Sequence, residues 1–214
     1  MIIKLHTDKG LPMQPSPENS NSSPDLDAAE LTHLAVKAMR RGRDEEALKL
    51  LQRAMERDPR DGNPHHLRGA ILASQREPVL AIEAMTQALA LDPQLLGARF
   101  QLGLLHFTSG NIFEAGSVWQ AFDDLPQRHP FRLFKTGMLH LARDEFQDCV
   151  ALLEQGISLC NTASINKDMQ RVIDKVRAVV RANAQAAVQV PAQNNSPHVL
   201  LSRYGQARDD KKDA

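Results

Sequence analysis

The sequence predicts an all-α fold, four helix pairs stacked as a solenoid with one further helix behind them. Three observations carry that prediction. Ala, Leu, Gln, Glu and Arg are common and β-branched runs are scarce, while aromatic residues make up only 4 % of the chain, a balance that favours helices over sheets. The chain also matches itself at an offset of 34 residues, in columns that hold through four consecutive copies without an insertion. Turn signals fall once inside each copy, at Gly42, Pro78, Gly110-Asn111 and Asp144, where one helix ends and the next begins.

The columns have a physical reading. Small residues recur at Ala35, Gly69, Gly103 and Gly137, and again at Ala47, Ala81, Ala115 and Cys149. A third column reads Ala54, Ala88, Phe122 and Gly156, with Phe in the third copy where the others are small. Between the last two lies a large apolar column, Leu51, Met85, Trp119 and Leu153. Small residues belong where two helix backbones approach most closely, since a branched side chain would hold them apart, and the large residue fills the space beside them.

Taken in order, residues 1–27 are expected to form a flexible arm, because LPMQPSPENSNSSPD over 11–25 offers almost nothing to bury. The repeats then occupy about 28–61, 62–95, 96–129 and 130–163, with helix pairs near 28–58, 62–92, 96–125 and 130–160. Pro59 and Pro93 close the first two. Beyond them Ile165, Met169, Val172, Ile173, Val176 and Val180 recur at helical spacing, opposite Lys167, Arg171, Lys175 and Arg181. That pattern predicts one amphipathic helix over 164–186, and a solenoid needs such a polar-backed element to cover its last repeat. Residues 187–214 are polar and charged and are expected to be a disordered tail. Val199, Leu200, Leu201 and Tyr204 form its one apolar island, either an incidental sticky spot or a short segment suited to a groove, this chain's own included.

Leu102-Gly103, Ala115-x₃-Trp119, Ala47-x₃-Leu51 and Ala81-x₃-Met85 give the chain its resemblance to a known family. Over residues 28–161 it resembles the tetratricopeptide repeat, a 34-residue unit with W-x₂-L-G-x₂-Y, then A-x₃-F, then a closing Pro. The resemblance implies a right-handed solenoid in which the first helix of each pair lines a concave surface. The usual tyrosine column departs from the family, reading Ala38, Leu72, His106 and His140. Pro126 interrupts the end of the third repeat and the fourth has no closing Pro, so the fourth repeat is expected to be the irregular one.

Charge and chemistry exclude several function classes. Lys plus Arg and Asp plus Glu are balanced at 26 each, so no net field draws the chain to nucleic acid or an anionic membrane. The opening MIIKLHTDKG lacks the apolar stretch of a secretory signal, and no apolar run reaches the roughly 20 residues of a membrane helix. A cytoplasmic location and no membrane insertion are the expectations. Cys149 and Cys160 suit small buried residues better than a disulfide framework or a zinc site. His65 and His66 point about 100° apart on a helix and cannot form an i, i+4 ligand pair. His106 and His140 share a column and could approach one another, but no carboxylate or thiolate column accompanies them. Neither a phosphate-cradling glycine loop, nor a nucleophile elbow, nor an H-E-x-x-H pair is present. No enzymatic activity, metal or cofactor is expected.

The family register places inward positions on each first helix. They are Thr32, Val36 and Met39, then His66, Ala70 and Ala73, then Phe100, Leu104 and Phe107, then Phe134, Met138 and Leu141. The partner-binding set is therefore Val36, Met39, His66, Phe100, Leu104, Phe107, Phe134, Met138 and Leu141, with its apolar centre in repeats three and four. The family's carboxylate-clamp variant needs Lys, Arg and Asn at such positions, and none is there. An apolar lining suits an apolar protein or peptide client. The expected function is a non-enzymatic adaptor or chaperone holding such a segment, similar in outline to the tetratricopeptide chaperones of bacterial export systems. A structural or self-assembling subunit of a larger complex is the alternative.

Overall fold

The computed structural model describes residues 26–189, so the expected arm up to residue 25 and the expected tail from residue 190, with its apolar island, lie outside the described residues. Nine α-helices follow one another, with no strand among the described residues. They are α1 (Ala28–Arg40), α2 (Asp44–Arg57), α3 (Gly62–Ser74), α4 (Pro78–Leu91), α5 (Leu96–Thr108), α6 (Ile112–Trp119), α7 (Pro130–Leu141), α8 (Phe146–Leu159) and α9 (Ala163–Gln189). A 3-10 turn, Gln120–Asp124, extends α6.

Local chemistry starts and stops these helices. Asp27 and Glu30 make a reciprocal capping box, Glu30 N–H donating to Asp27 Oδ1 at 2.8 Å and Asp27 N–H to Glu30 Oε2 at 3.0 Å. Asp44, Glu45 and Glu46 set negative charge at the positive end of α2. Asp61 caps α3 by accepting from Asn63 N–H at 2.9 Å, and Pro78 supplies the first position of α4.

The turn inside each repeat is one motif used four times. Gly42, Arg76, Gly110 and Asp144 take left-handed backbone with φ of 70°, 65°, 85° and 60°, one every 34 residues. Their N–H groups donate to Met39, Ala73, Phe107 and Leu141 carbonyls at 3.0 to 3.2 Å. The following N–H groups, on Arg43, Glu77, Asn111 and Glu145, donate to Ala38, Leu72, His106 and His140 carbonyls at 2.9 to 3.0 Å. This double closure is a Schellman cap, which satisfies the last carbonyls of each first helix while reversing the chain. In the second repeat the turn residue is Arg76; Pro78, the signal read from the sequence, begins the next helix.

Packing follows the columns. Ala35 and Leu51 are wholly buried in one cluster. A Cβ on Gly69 would lie 2.7 Å from Met85 Cγ, and one on Gly137 would lie 3.0 Å from Leu153 Cδ2. At Gly103 an added Cβ would fall inside the Trp119 indole, whose Nε1–H crosses the bare backbone to donate to Phe100 O at 3.0 Å. Size therefore matches size in every pair.

The irregular repeat is the third, not the fourth. In the fourth, the Phe134 ring occupies the space that Gly156 leaves open, and a Cβ there would strike the ring. The equivalent positions of the third repeat are Phe100 and Phe122, two rings where the space takes one. The second helix gives way: α6 ends after 8 residues, tightens to the 3-10 turn, and delivers Phe122 to stack on Phe131 at 5.5 Å and 17°. Two cations of α7 hold that turn. Arg132 Nη1 donates to the Asp123 and Leu125 carbonyls at 2.9 and 2.6 Å, and the buried Lys135 ammonium meets the Asp123 carboxylate at 2.5 Å. A buried cation left without that partner would be strongly destabilising.

Successive first helices touch, α1 with α3, α3 with α5 and α5 with α7, while no two second helices pack to that extent. The first helices are therefore on the inside of the curve. The final helix, α9, takes the place of a fifth first helix, laying Ile165, Met169, Ile173 and Val176 against α8. One period after Gly137 it carries Arg171, which is exposed, so no further second helix is seated in the small-residue slot.

Two outcomes follow from this packing. Replacing Gly103 with Leu should lower stability by about 1–3 kcal/mol or more through overpacking against Trp119, read as a lower urea midpoint. At the turns, Gly110→Ala should lower stability by about 1 kcal/mol because no clash but only the left-handed φ opposes it, whereas Arg76→Gly should raise it by up to about 1 kcal/mol. Thermal melts with shifts of equal sign in those two variants would refute the common turn geometry.

Candidate functional site

Three inward columns run across the first helices, and the structure sorts them by depth. Thr32, His66, Phe100 and Phe134 form one; Val36, Ala70, Leu104 and Met138 the next; Met39, Ala73, Phe107 and Leu141 the third. Of these, Thr32, Val36, Met39, His66, Ala70, Ala73, Leu104, Phe107 and Leu141 are half-buried, each with part of its surface open.

Phe100, Phe134 and Met138 are not. They are 0 %, 0 % and 1 % exposed, and this corrects the apolar centre expected in repeats three and four. Phe100 stacks on Trp119 at 5.7 Å and 17°, and leans on Phe131 at 5.7 Å and on Phe134 at 5.5 Å. Side chains of this size fill the gap between neighbouring first helices, whereas in the earlier repeats Thr32 stays half-exposed and His66 bridges the gap with a hydrogen bond to Gln101. The open part of the inner face accordingly follows the second and third columns. Leu104, Phe107 and Leu141 remain at its floor, packed from beneath by the aromatic core, with Phe107 lying 6.1 Å from Trp119.

His66 joins the second repeat to the third. Its Nε2–H donates to Gln101 Oε1 at 2.7 Å, between α3 and α5. Burial pushes its pKa down, and the Gln101 carbonyl pulls partly the other way, so the ring is neutral at neutral pH. His106 and His140 do not bond to one another: His140 Nδ1 pairs with Glu145, and His106 Nδ1 is buried without a partner.

The arrangement offers no nucleophile with its base. Burial raises the Cys149 thiol to about 11, far from the thiolate. Among the described residues no group of three His, Cys, Asp or Glu could hold a metal, and no helix is long and apolar enough to cross a membrane.

Sequence reasoning missed one surface. Val79 and Phe113, at the starts of α4 and α6, are 76 % and 83 % exposed, and Leu80 beside Val79 is exposed too. Val79 and Phe113 stand one period apart, a signal that was available in the register.

No family model matches the chain, and no curated protein matches it in sequence. Solved structures do. A chain of the APC/C hetero-tetramer Cut9-Hcn1 is 22 % identical over 62 % of this chain, with a TM-score of 0.55, and this chain spans 25 % of its length. PilF of Pseudomonas aeruginosa is 24 % identical, with 78 % of each chain covered and a TM-score of 0.53. TTC0263, a thermophilic TPR protein of Thermus thermophilus, is 20 % identical over 84 % of this chain and 98 % of its own, with a TM-score of 0.55. Likeness at these identities is a likeness of fold, and it agrees with the repeat geometry: the chain is an all-α solenoid of the tetratricopeptide-repeat type.

Proposed function

We propose that this chain is a non-enzymatic protein-interaction module that holds an apolar segment of a client polypeptide against its inner face. The observation that carries the reading is the pair of half-exposed columns, Val36–Ala70–Leu104 and Met39–Ala73–Phe107–Leu141, laid out at one-repeat intervals on helices that touch one another. A client covering them buries apolar surface worth roughly 25 cal/mol per Å². The small Ala70 and Ala73 leave room in the second repeat for a side chain of the client, while Leu104 and Phe107 form a firmer wall in the third. No Lys or Arg occupies these columns, which supports an apolar rather than a carboxylate-bearing client. An adaptor or chaperone acting in the cytoplasm fits this surface and the balanced charge of 26 against 26.

A second reading, a structural subunit of a larger assembly, draws on the exposed Val79, Leu80 and Phe113 on the second helices. These are apolar side chains open to solvent on second helices rather than on the inner columns.

Panning a random peptide library on the immobilised chain tests the first reading. Enriched peptides should be rich in Leu, Ile, Val and Phe, and their affinity should fall about tenfold or more in a Val36→Glu/Ala70→Glu variant, because a buried charge is left without a partner. Both side chains are half-exposed, so the variant should keep its melting temperature within a few degrees. Selected peptides that bind the variant as tightly as the parent, or that compete for Phe113 instead, would overturn the assignment of the inner face.

A further inference from the structure

The last helix outruns the one it packs on. At 27 residues α9 is about 40 Å long, against about 21 Å for the 14 residues of α8. It starts beside the end of α8, where Asn166 Nδ2 donates to Cys160 O at 2.8 Å, and it runs back along α8, pairing Arg177 with Glu154 at 2.6 Å. Near the start of α8 the two part company. There they leave an apolar notch of about 510 Å³, with Phe146 and Val150 on one wall, Val176 and Val180 on the other, and Arg177 and Arg181 at the rim.

The same stripe that is buried from Ile165 to Val176 continues into this notch. Val180, the next residue of the stripe, is 42 % exposed. At every earlier level of the stack the outer side of a first helix is covered by its own second helix. After α9 no such helix is described, and residues 190–214 follow it in the sequence.

We propose that residues 199–204 of this same chain occupy the notch, with Val199, Leu200, Leu201 and Tyr204 set against Val176 and Val180. Three facts select this occupant. Within 190–214 the only run of three consecutive apolar residues is Val199-Leu200-Leu201. The connection reaches: Val180 lies about 14 Å back from Gln189 along the helix, and residues 190–198 can span about 30 Å when extended. Pro191 and Pro197 bracket that connection and disfavour continuation of a helix through it, which the return path requires. The segment itself carries one charge, on Arg203, so apolar burial rather than ion pairing drives the contact. Its effect is to finish the solenoid at the point where α9 leaves it, independently of what the inner face binds.

Tyr204 is the only tyrosine in the chain, so its ring resonances are unambiguous. In nuclear magnetic resonance spectra of the full chain, its ring should show Overhauser contacts to the Val176 and Val180 methyls, and backbone relaxation should find 199–204 more ordered than 206–214. Neither should change on tenfold dilution. In Val180→Glu, and separately in Leu200→Asp/Leu201→Asp, the docked population should fall about tenfold through the cost of burying the new charge. Val180 is partly exposed, and Leu200 and Leu201 follow the last described helix in sequence, so all variants should retain the parent's melting curve. Contacts that fade on dilution would mean that a second copy supplies the segment, and the proposal fails. It fails equally if 199–204 relax like 206–214 in the parent, or if the order survives Val180→Glu.

Discussion

Everything in this solenoid depends on the match between a small residue on each first helix and a large one on each second helix. Where Gly103 has no side chain, the Trp119 indole can cross the backbone of α5 and donate to the Phe100 carbonyl. That contact sets how closely α5 and α6 approach, and the same pairing, as Ala35 with Leu51, Gly69 with Met85 and Gly137 with Leu153, sets the other three. Close packing leaves little tolerance, because interiors are as dense as organic crystals and one extra methylene is felt. The repeat is thus a rule about volumes before it is a rule about identities.

The same logic explains where the repeat breaks down. Phe100 and Phe122 claim one space in the third repeat, and the second helix yields because its end is held by fewer hydrogen bonds than its middle. Arg132 and Lys135 on α7 then repair the damage, taking up the carbonyls of Asp123 and Leu125 and the Asp123 carboxylate. The break has a further consequence for the inner face. Phe100, Phe131 and Phe134 form one aromatic block with Trp119, and the block fills the inner side of repeats three and four. A surface that would have been deep becomes shallow, with Leu104, Phe107 and Leu141 as its floor.

The two ends of the molecule's inner surface therefore differ in kind. Repeats one and two present mostly small or polar side chains, Thr32, His66, Ala70 and Ala73 beside the apolar Val36 and Met39, with the His66–Gln101 bond between them and the third repeat. Repeats three and four present the tops of side chains whose bodies are core. A substitution at Phe107 or Leu141 acts on both binding and stability, whereas one at Val36 or Ala70 bears less on the aromatic block.

By itself the sequence determined the helix count, the pairing and the 34-residue register, because periodicity and volume are properties of the residues in order. Gly42, Gly110 and Asp144 were legible as turn residues for the same reason, since Gly and Asp tolerate left-handed backbone; Arg76 was not, because nothing in an Arg side chain announces φ of 65°. Only the tertiary structure decided which inward residues are surface. Phe100 and Leu104 lie one helical turn apart on the same face of α5, and a sequence pattern assigns them together. Their different burial comes from what the neighbouring helix brings, Phe131 and Phe134 from α7 closing over Phe100 while Leu104 stays partly open. Likewise the stripe on α9 was plain in the sequence, but the notch toward its far end lies between residues of α8 and α9, a relation of two packed helices that no single stretch of residues contains.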